Sequence, residues 1–309
     1  MTRIVFMGTP HAAVPTLREC LADGHEVVAV WTQPDKPAGR GHKLTFSPVK
    51  EFALSHGLTV FQPARIKNEE SKQLFASHDA DVAVVVAYGR ILPDEFLRAP
   101  RRGCINVHFS LLPRYRGAAP TNWAIINGDK ETGVTTMFIE PTLDTGPILL
   151  QRETTIGETE TAPQLMERLA EIGARLLGET LARLDELTPQ PQNDTDATFA
   201  PILKKEDGLI DWSQNAFAIE RRVRGLQPWP DAYTSYNSKG MTIWRGQPIS
   251  SSSNAAPGEV IVAQGDDLVV TCGEQTALRL IEVQPEARKR MTARDAINGM
   301  HMKVGDRFG

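Results

Sequence analysis

Short runs rich in Val and Ile recur along the first half of the chain, at Arg3–Met7, Val27–Thr32, Val82–Ala87, Ile105–His108 and Thr135–Glu140. Between them lie stretches such as Ala13–Ala22 and Ser47–Ser55, whose apolar residues return every three or four positions. The first pattern suits buried strands, the second amphipathic helices. Strands alternating with helices across short Gly and Pro turns predict an α/β fold: a Rossmann-like, mostly parallel sheet with helices on both faces. Such sheets bind ligands beyond the carboxyl ends of their strands. Chemistry is therefore expected just after Met7, Ala87, His108 and Glu140. A helix from about Ala162 to Leu187 closes this first domain, residues 1–187.

The segment TPQPQNDTDAT, Thr188 to Thr198, is polar, broken by Pro and without periodicity, so residues 188–204 read as a linker. Beyond it the pattern changes. One helix, Asn215–Gly225, precedes short alternating runs at Met241–Trp244, Glu259–Ala263, Leu268–Thr271 and Ala277–Val283, separated by Gly, Asn and Ser turns. That spacing predicts a small C-terminal antiparallel β-barrel over residues 205–309.

A chain of 309 residues, 41% hydrophobic, can fill two cores. It holds no apolar run of about 18 residues, and MTRIVFMG lacks the features of a secretory signal, so no membrane association is expected. Cys20, Cys104 and Cys272 stand far apart, which suits a reducing, cytoplasmic setting and supplies neither disulfide nor metal framework. No metal is expected. The net charge of −4 speaks against a general polyanion binder, although distribution matters more than sum. Residues 1–203 carry 20 Lys and Arg against 25 Asp and Glu, the remainder 14 against 13. The first strand–helix turn, Gly8-Thr9-Pro10, is not the glycine-rich dinucleotide cradle, and no phosphate-binding P-loop occurs. Both observations argue against a dehydrogenase or a nucleoside triphosphatase.

The informative stretch runs from Cys104 to Thr121. Asn106 and His108 lie two apart on a strand, so both project from one face near its carboxyl end. Polar side chains at alternate positions of an apolar strand conflict with core packing, and such conflicts mark functional sites. A satisfied buried pair is the plainer explanation of either residue alone. Leu143-Asp144-Thr145-Gly146 follows the next strong strand, which would set Asp144 on the same rim, within reach of His108. Asp-Thr-Gly is also compatible with a simple turn; as an aspartic protease half-site it lacks a second copy.

Asn106–Pro113 and Leu143–Gly146 resemble the N-x-H, SLLP and D-T-G signature of the 10-formyltetrahydrofolate-dependent formyltransferases. The resemblance implies a catalytic triad of Asn106, His108 and Asp144. It implies folate contacts from Ser110, Leu111, Leu112 and Pro113, and from the segment holding Ala87, Tyr88, Gly89, Ile91 and Leu92, which would wrap the pterin with backbone and apolar groups. The co-substrate implied is 10-formyltetrahydrofolate, without metal. In that chemistry an amine adds to the formyl carbon, and an Asn amide and an imidazolium stabilise the oxyanion. Asp144 would hold His108 charged and relay the amine proton. Phe109 and Thr142 depart from the family pattern, which has a small residue and a Gly there; both are expected to narrow or stiffen the pocket rim.

TQPDKPAGRG, SPVK and Phe61-Gln62-Pro63 resemble the branch of this family that acts on initiator methionyl-tRNA, as do Ile210–Ser213 and Arg224–Pro230, within an OB-like terminal barrel. There a basic loop, here bearing Lys36, Arg40 and Lys43, enters the acceptor stem. Arg221, Arg222 and Arg224, with Arg288, Lys289 and Arg290, form two basic clusters expected to contact the tRNA. Small acceptors, glycinamide ribonucleotide or an amino-sugar nucleotide, are the alternative, and a non-catalytic tRNA-binding protein a more distant one. No long exposed apolar stripe is evident, so a monomer is expected.

Overall fold

The computed structural model describes residues 1–38 and 43–309. By contacts the chain divides into two compact units. The first comprises Met1–Pro120, Glu131–Thr155 and Met166–Ala200; the second comprises Thr121–Lys130, Ile156–Leu165 and Pro201–Gly309.

The first unit is built on seven strands: β1 (Arg3–Gly8), β2 (Glu26–Trp31), β3 (Val60–Phe61), β4 (Val82–Val86), β5 (Cys104–His108), β6 (Glu131–Phe138) and β7 (Ile148–Thr155), in the order β7-β6-β5-β4-β1-β2-β3. Every pair from β5 to β3 is parallel. Only β6 runs against its neighbours. Alternation divides the side chains between two layers. Val5, Met7, Ala29, Trp31, Ala83, Val85 and Cys104 meet Phe75, Phe96 and Tyr88 on one face, where the Phe75 and Phe96 rings stack 4.0 Å apart. On the other, Val107 and Val134 pack against Gly173 of the helix Ala162–Ala182, which ends five residues short of the sequence expectation.

The segment read as a linker is ordered structure of this unit. Gln190 exchanges two backbone hydrogen bonds with Ile148, and Phe199–Ala200 pairs in parallel with Arg116–Gly117. Gly117 is required there: its φ is +127°, and a Cβ would stand 2.5 Å from the Ala200 carbonyl oxygen.

In the second unit, β8 (Ala232–Tyr236), β9 (Lys239–Ser250), β10 (Val260–Gln264), β11 (Asp267–Thr271) and β12 (Thr276–Pro285) form an antiparallel sheet in the order β8-β9-β12-β11-β10. The last residues join its two edges, Arg307 bridging to Glu259 and Phe308 to Tyr236. The Phe308 ring fills the end of this core, 5.3 Å from Tyr236 and 5.7 Å from Trp212. A helix, Ala216–Gly225, is capped by the Asn215 side chain and covers the sheet.

Candidate active site

Asn106 and His108 leave β5 on the same side, as their two-residue spacing requires. Asn106 is half-buried, and among the described residues its amide has no hydrogen-bond partner. His108 is 6% exposed. Its Nε2 lies 2.9 Å from the carbonyl oxygen of Tyr115. A carbonyl only accepts, so Nε2 carries a proton and the ring is fixed with Nδ1 facing Asp144. The Nδ1–Oδ2 separation is 3.8 Å, close enough for charge stabilisation and too long for a direct hydrogen bond. The same Oδ2 accepts the backbone N–H of Gly117 at 2.8 Å. Residues 115–117 thus hold the imidazole through one carbonyl and the carboxylate through one amide.

Asp144 reaches His108 by a route the strand pattern does not give. Because β6 is antiparallel to β5, Thr135 stands beside His108 and Phe138 beside Ile105. The carboxyl end of β6 is therefore at the far end of β5, and the loop after it must double back. At the close of that loop a Cβ on Gly146 would lie 1.8 Å from the Phe138 carbonyl oxygen, so only glycine fits. Asp144 itself takes a left-handed conformation, φ +55°. Thr142, where the family has Gly, hydrogen-bonds Thr145 and ties the turn together. Phe109 does not narrow the rim: alternation turns its ring to the opposite face, against Gly173.

The SLLP segment is mostly scaffold. Ser110, fully buried, donates to the Arg114 carbonyl at 2.6 Å, and Leu111 packs over Gly133. Leu112 donates its N–H to Thr135 Oγ1 at 3.1 Å, and Pro113 is half-buried. Thr135, unmarked by sequence reasoning, is the hub here: its hydroxyl also donates to the Ser110 carbonyl at 2.7 Å and accepts from Gln151 at 3.0 Å. Along 87–92, Ala87, Gly89 and Ile91 are exposed, Ile91 by 67%, while the side chains of Tyr88 and Leu92 turn into the core. Burial pushes the Tyr88 hydroxyl up to about 12. The surface this segment offers is backbone at Ala87 and Gly89 and one apolar side chain, Ile91.

A polar network ties this segment to the root of the basic loop. Gln33 donates to the Tyr88 carbonyl at 2.9 Å and accepts from Arg90 at 3.0 Å. Gln62 bridges the Gln33 carbonyl and Asp35, both at 2.8 Å. The Gln62 hydrogen bond, followed by that of Lys50, holds the Asp35 carboxyl below its usual range. Lys36 and Lys43 lie in a two-stranded antiparallel sheet, Lys36–Ala38 with Lys43–Thr45; Arg40 lies outside the described residues. Beside this network a cleft of about 650 Å³ is lined by Arg65, Ile66, Lys67, Asn68, Arg90 and Ile91.

The two basic clusters of the second unit differ. Arg221 donates to the Ile126 carbonyl at 3.3 Å, Arg222 to that of Asp207, and Arg224 to that of Glu160 at 2.8 Å while pairing with Glu220. All three are committed within the protein. Arg288, Lys289 and Arg290 are exposed; Arg290 pairs with Glu282 and lies over the Trp244 ring, 4.8 Å from its centroid. All three cysteines are buried, and burial pushes each thiol up to about 12, so none is a thiolate nucleophile. Among the described residues no helix is long and apolar enough to cross a membrane, and no group of His, Cys, Asp and Glu could hold a metal ion.

Comparison with known proteins covers both units. Residues 2–181 match the formyl transferase family, and residues 202–301 match the C-terminal domain of formyl transferases. The chain is similar to the methionyl-tRNA formyltransferase of Caldanaerobacter subterraneus subsp. tengcongensis, with 50% identity over 98% of each chain. It is also similar to that of Bacillus subtilis, 43% identical over 100% of this chain and 98% of the relative. Among solved structures it shares its fold with HypX from Aquifex aeolicus in complex with tetrahydrofolic acid, at a TM-score of 0.65 and 15% identity, covering 99% of this chain and 48% of that one. An N-formyltransferase from Helicobacter canadensis, in complex with folinic acid and dTDP-3-aminofucose, gives a TM-score of 0.66 at 18% identity, over 92% of this chain and all of the other.

Proposed function

Because the chain belongs to the formyl transferase family, we propose that it moves the formyl group of 10-formyltetrahydrofolate onto the amino group of methionine esterified to initiator tRNA. The observation that carries the choice of acceptor is identity of 43–50% over nearly the whole chain, both units included, to enzymes named for that acceptor. Asn106, His108 and Asp144 do the chemistry. The amine adds to the formyl carbon, one C–N bond forms, and the carbonyl oxygen takes the negative charge. The free Asn106 amide donates to that oxygen. Such a donor is typically worth about 10²–10³ in rate, or roughly 3–4 kcal/mol. His108, its Nε2–H spent on Tyr115, has only Nδ1 left for the reacting groups. Asp144, 3.8 Å away, stabilises the charge that builds there as the proton passes from the amine toward the departing folate nitrogen. The C–N bond to the folate then breaks, and tetrahydrofolate leaves.

Ala87, Gly89, Ile91 and Pro113 offer the surface for the pterin, and Arg65, Lys67 and Arg90 suit the carboxylates of the co-substrate's glutamyl end. The basic segment bearing Lys36, Arg40 and Lys43 meets the acceptor stem, and the reading puts the chain, as a monomer, in the cytoplasm. The test is transfer of labelled formyl from 10-formyltetrahydrofolate, offered initiator methionyl-tRNA, glycinamide ribonucleotide and an amino-sugar nucleotide side by side. Labelling of the tRNA alone is expected. Labelling of a small acceptor instead would overturn the acceptor assignment while leaving the chemistry in place.

A further inference from the structure

The antiparallel course of β6 leaves Asp144 with a positioning problem. Phe138 ends that strand beside Ile105, three residues or about 10 Å of strand below His108. The loop that follows returns to the imidazole with no sheet to guide it. What guides it is residues 190–200. The Gln192 side-chain amide donates to the carbonyl of Asp144 at 2.9 Å and to that of Gly146 at 2.8 Å. Its oxygen accepts Nε and a terminal nitrogen of Arg116, at 3.0 and 2.8 Å. Arg116 is only 5% exposed, and Asp194 holds it from the other side at 2.8 Å. Thr198 closes the frame, accepting the Tyr115 N–H on its hydroxyl and the Arg116 N–H on its carbonyl, both at 2.8 Å. The neighbours of Arg116 in the chain are the two residues whose backbone grips His108 and Asp144.

We infer that Gln192 is a positioning residue for the reaction, and that the strap 190–200 belongs to the active site. Through two carbonyls Gln192 sets the left-handed Asp144 against His108, and through Arg116 it locks that arrangement to the Tyr115–Gly117 bridge. The inference rests on the triad reading above. It differs from a merely structural role in what it predicts for the imidazole.

The test is Gln192→Met, which fills the space of glutamine and removes both donors. Turnover is expected to fall at least about tenfold, with KM for donor and tRNA changed less than threefold and the thermal midpoint within a few degrees. The His108 ring C–H cross-peak, followed by NMR in the substrate-free protein at fixed pH and assigned with His108→Ala, is expected to move from its wild-type position, because the Asp144 carboxylate beside Nδ1 is displaced. Asp194→Ala, at an exposed residue, should move turnover and the cross-peak the same way, more weakly, and serves if Gln192→Met does not fold. Wild-type turnover and an unmoved cross-peak in the folded variant would overturn the inference. So would a loss of turnover with the cross-peak unmoved. If His108→Ala itself turns over normally, the triad reading fails; the cross-peak in Gln192→Met then still decides whether Gln192 holds Asp144.

Discussion

At His108 a side chain that the sequence marks is oriented by groups it does not. Asn106 and His108 stand out because an amide and an imidazole interrupt an otherwise apolar strand, Cys104 to His108. The Tyr115 carbonyl that fixes the imidazole and the Gly117 amide that holds Asp144 are main-chain groups, and every residue has those. Thr135 escaped for a related reason: a threonine on a strand is ordinary, and only its three hydrogen bonds show its use. The two polar side chains are separable by experiment. Asn106 has no partner to strand, so Asn106→Ala should fold with wild-type stability and lose about 10²–10³ in turnover. His108→Ala should lose at least about 10² while donor affinity, read by fluorescence titration, stays nearly intact. Turnover within a few-fold of wild type in either variant would remove that residue from the mechanism.

Among the elements, the strands and helices with clear periodicity were legible to within a few residues, while direction and irregular chain were not. Hydrophobic alternation in Thr135–Glu140 is the same whichever way the strand runs, so nothing in it reveals that β6 is antiparallel. The strap was opaque because its order comes from side-chain hydrogen bonds and two short bridges, none of which leaves a period. A second irregular element carries a measurable charge effect. Asp231, at the turn that enters β8, has φ +64° and a buried Oδ1 without a partner among the described residues. Burial raises its carboxyl to about 6. A carboxyl whose folded pKa lies above its unfolded value, about 4, binds its proton more tightly in the folded protein. Its contribution to stability is fullest below pH 4 and is lost as pH rises through about 6. Asp231→Asn should therefore raise the thermal midpoint more at pH 8 than at pH 4.5, by about 2 °C or more, measured by calorimetry. Asparagine also tolerates the left-handed backbone, so any gain at pH 4.5 isolates that part. Equal gains at both pH values would show that the carboxyl does not carry the strain.

For the whole molecule the problem is electrostatic: a chain with a net charge of −4 is proposed to hold a polyanion. Affinity must then come from a few exposed cations rather than from the overall field. Sequence alone could not sort these, because charge counts the same whether a guanidinium meets solvent or a distant carbonyl. The structure separates the two clusters. Arg221, Arg222 and Arg224 end on carbonyls and a carboxylate of their own unit, whereas Arg288 and Lys289 are exposed with no ion pair among the described residues. Each phosphate contact contributes about 0.7 to 0.9 to the slope of log affinity against log salt. Replacing both Arg288 and Lys289 with Ala should reduce that slope for initiator tRNA by about 1.4 to 1.8, weaken binding at low salt, and leave the donor KM and thermal midpoint unchanged. Arg224→Ala should do the reverse, lowering the midpoint because Glu220, only 13% exposed, loses its partner, while the slope holds. A full wild-type slope in the double variant would move the tRNA contact elsewhere, and the basic segment from Lys36 to Lys43 would then have to supply it.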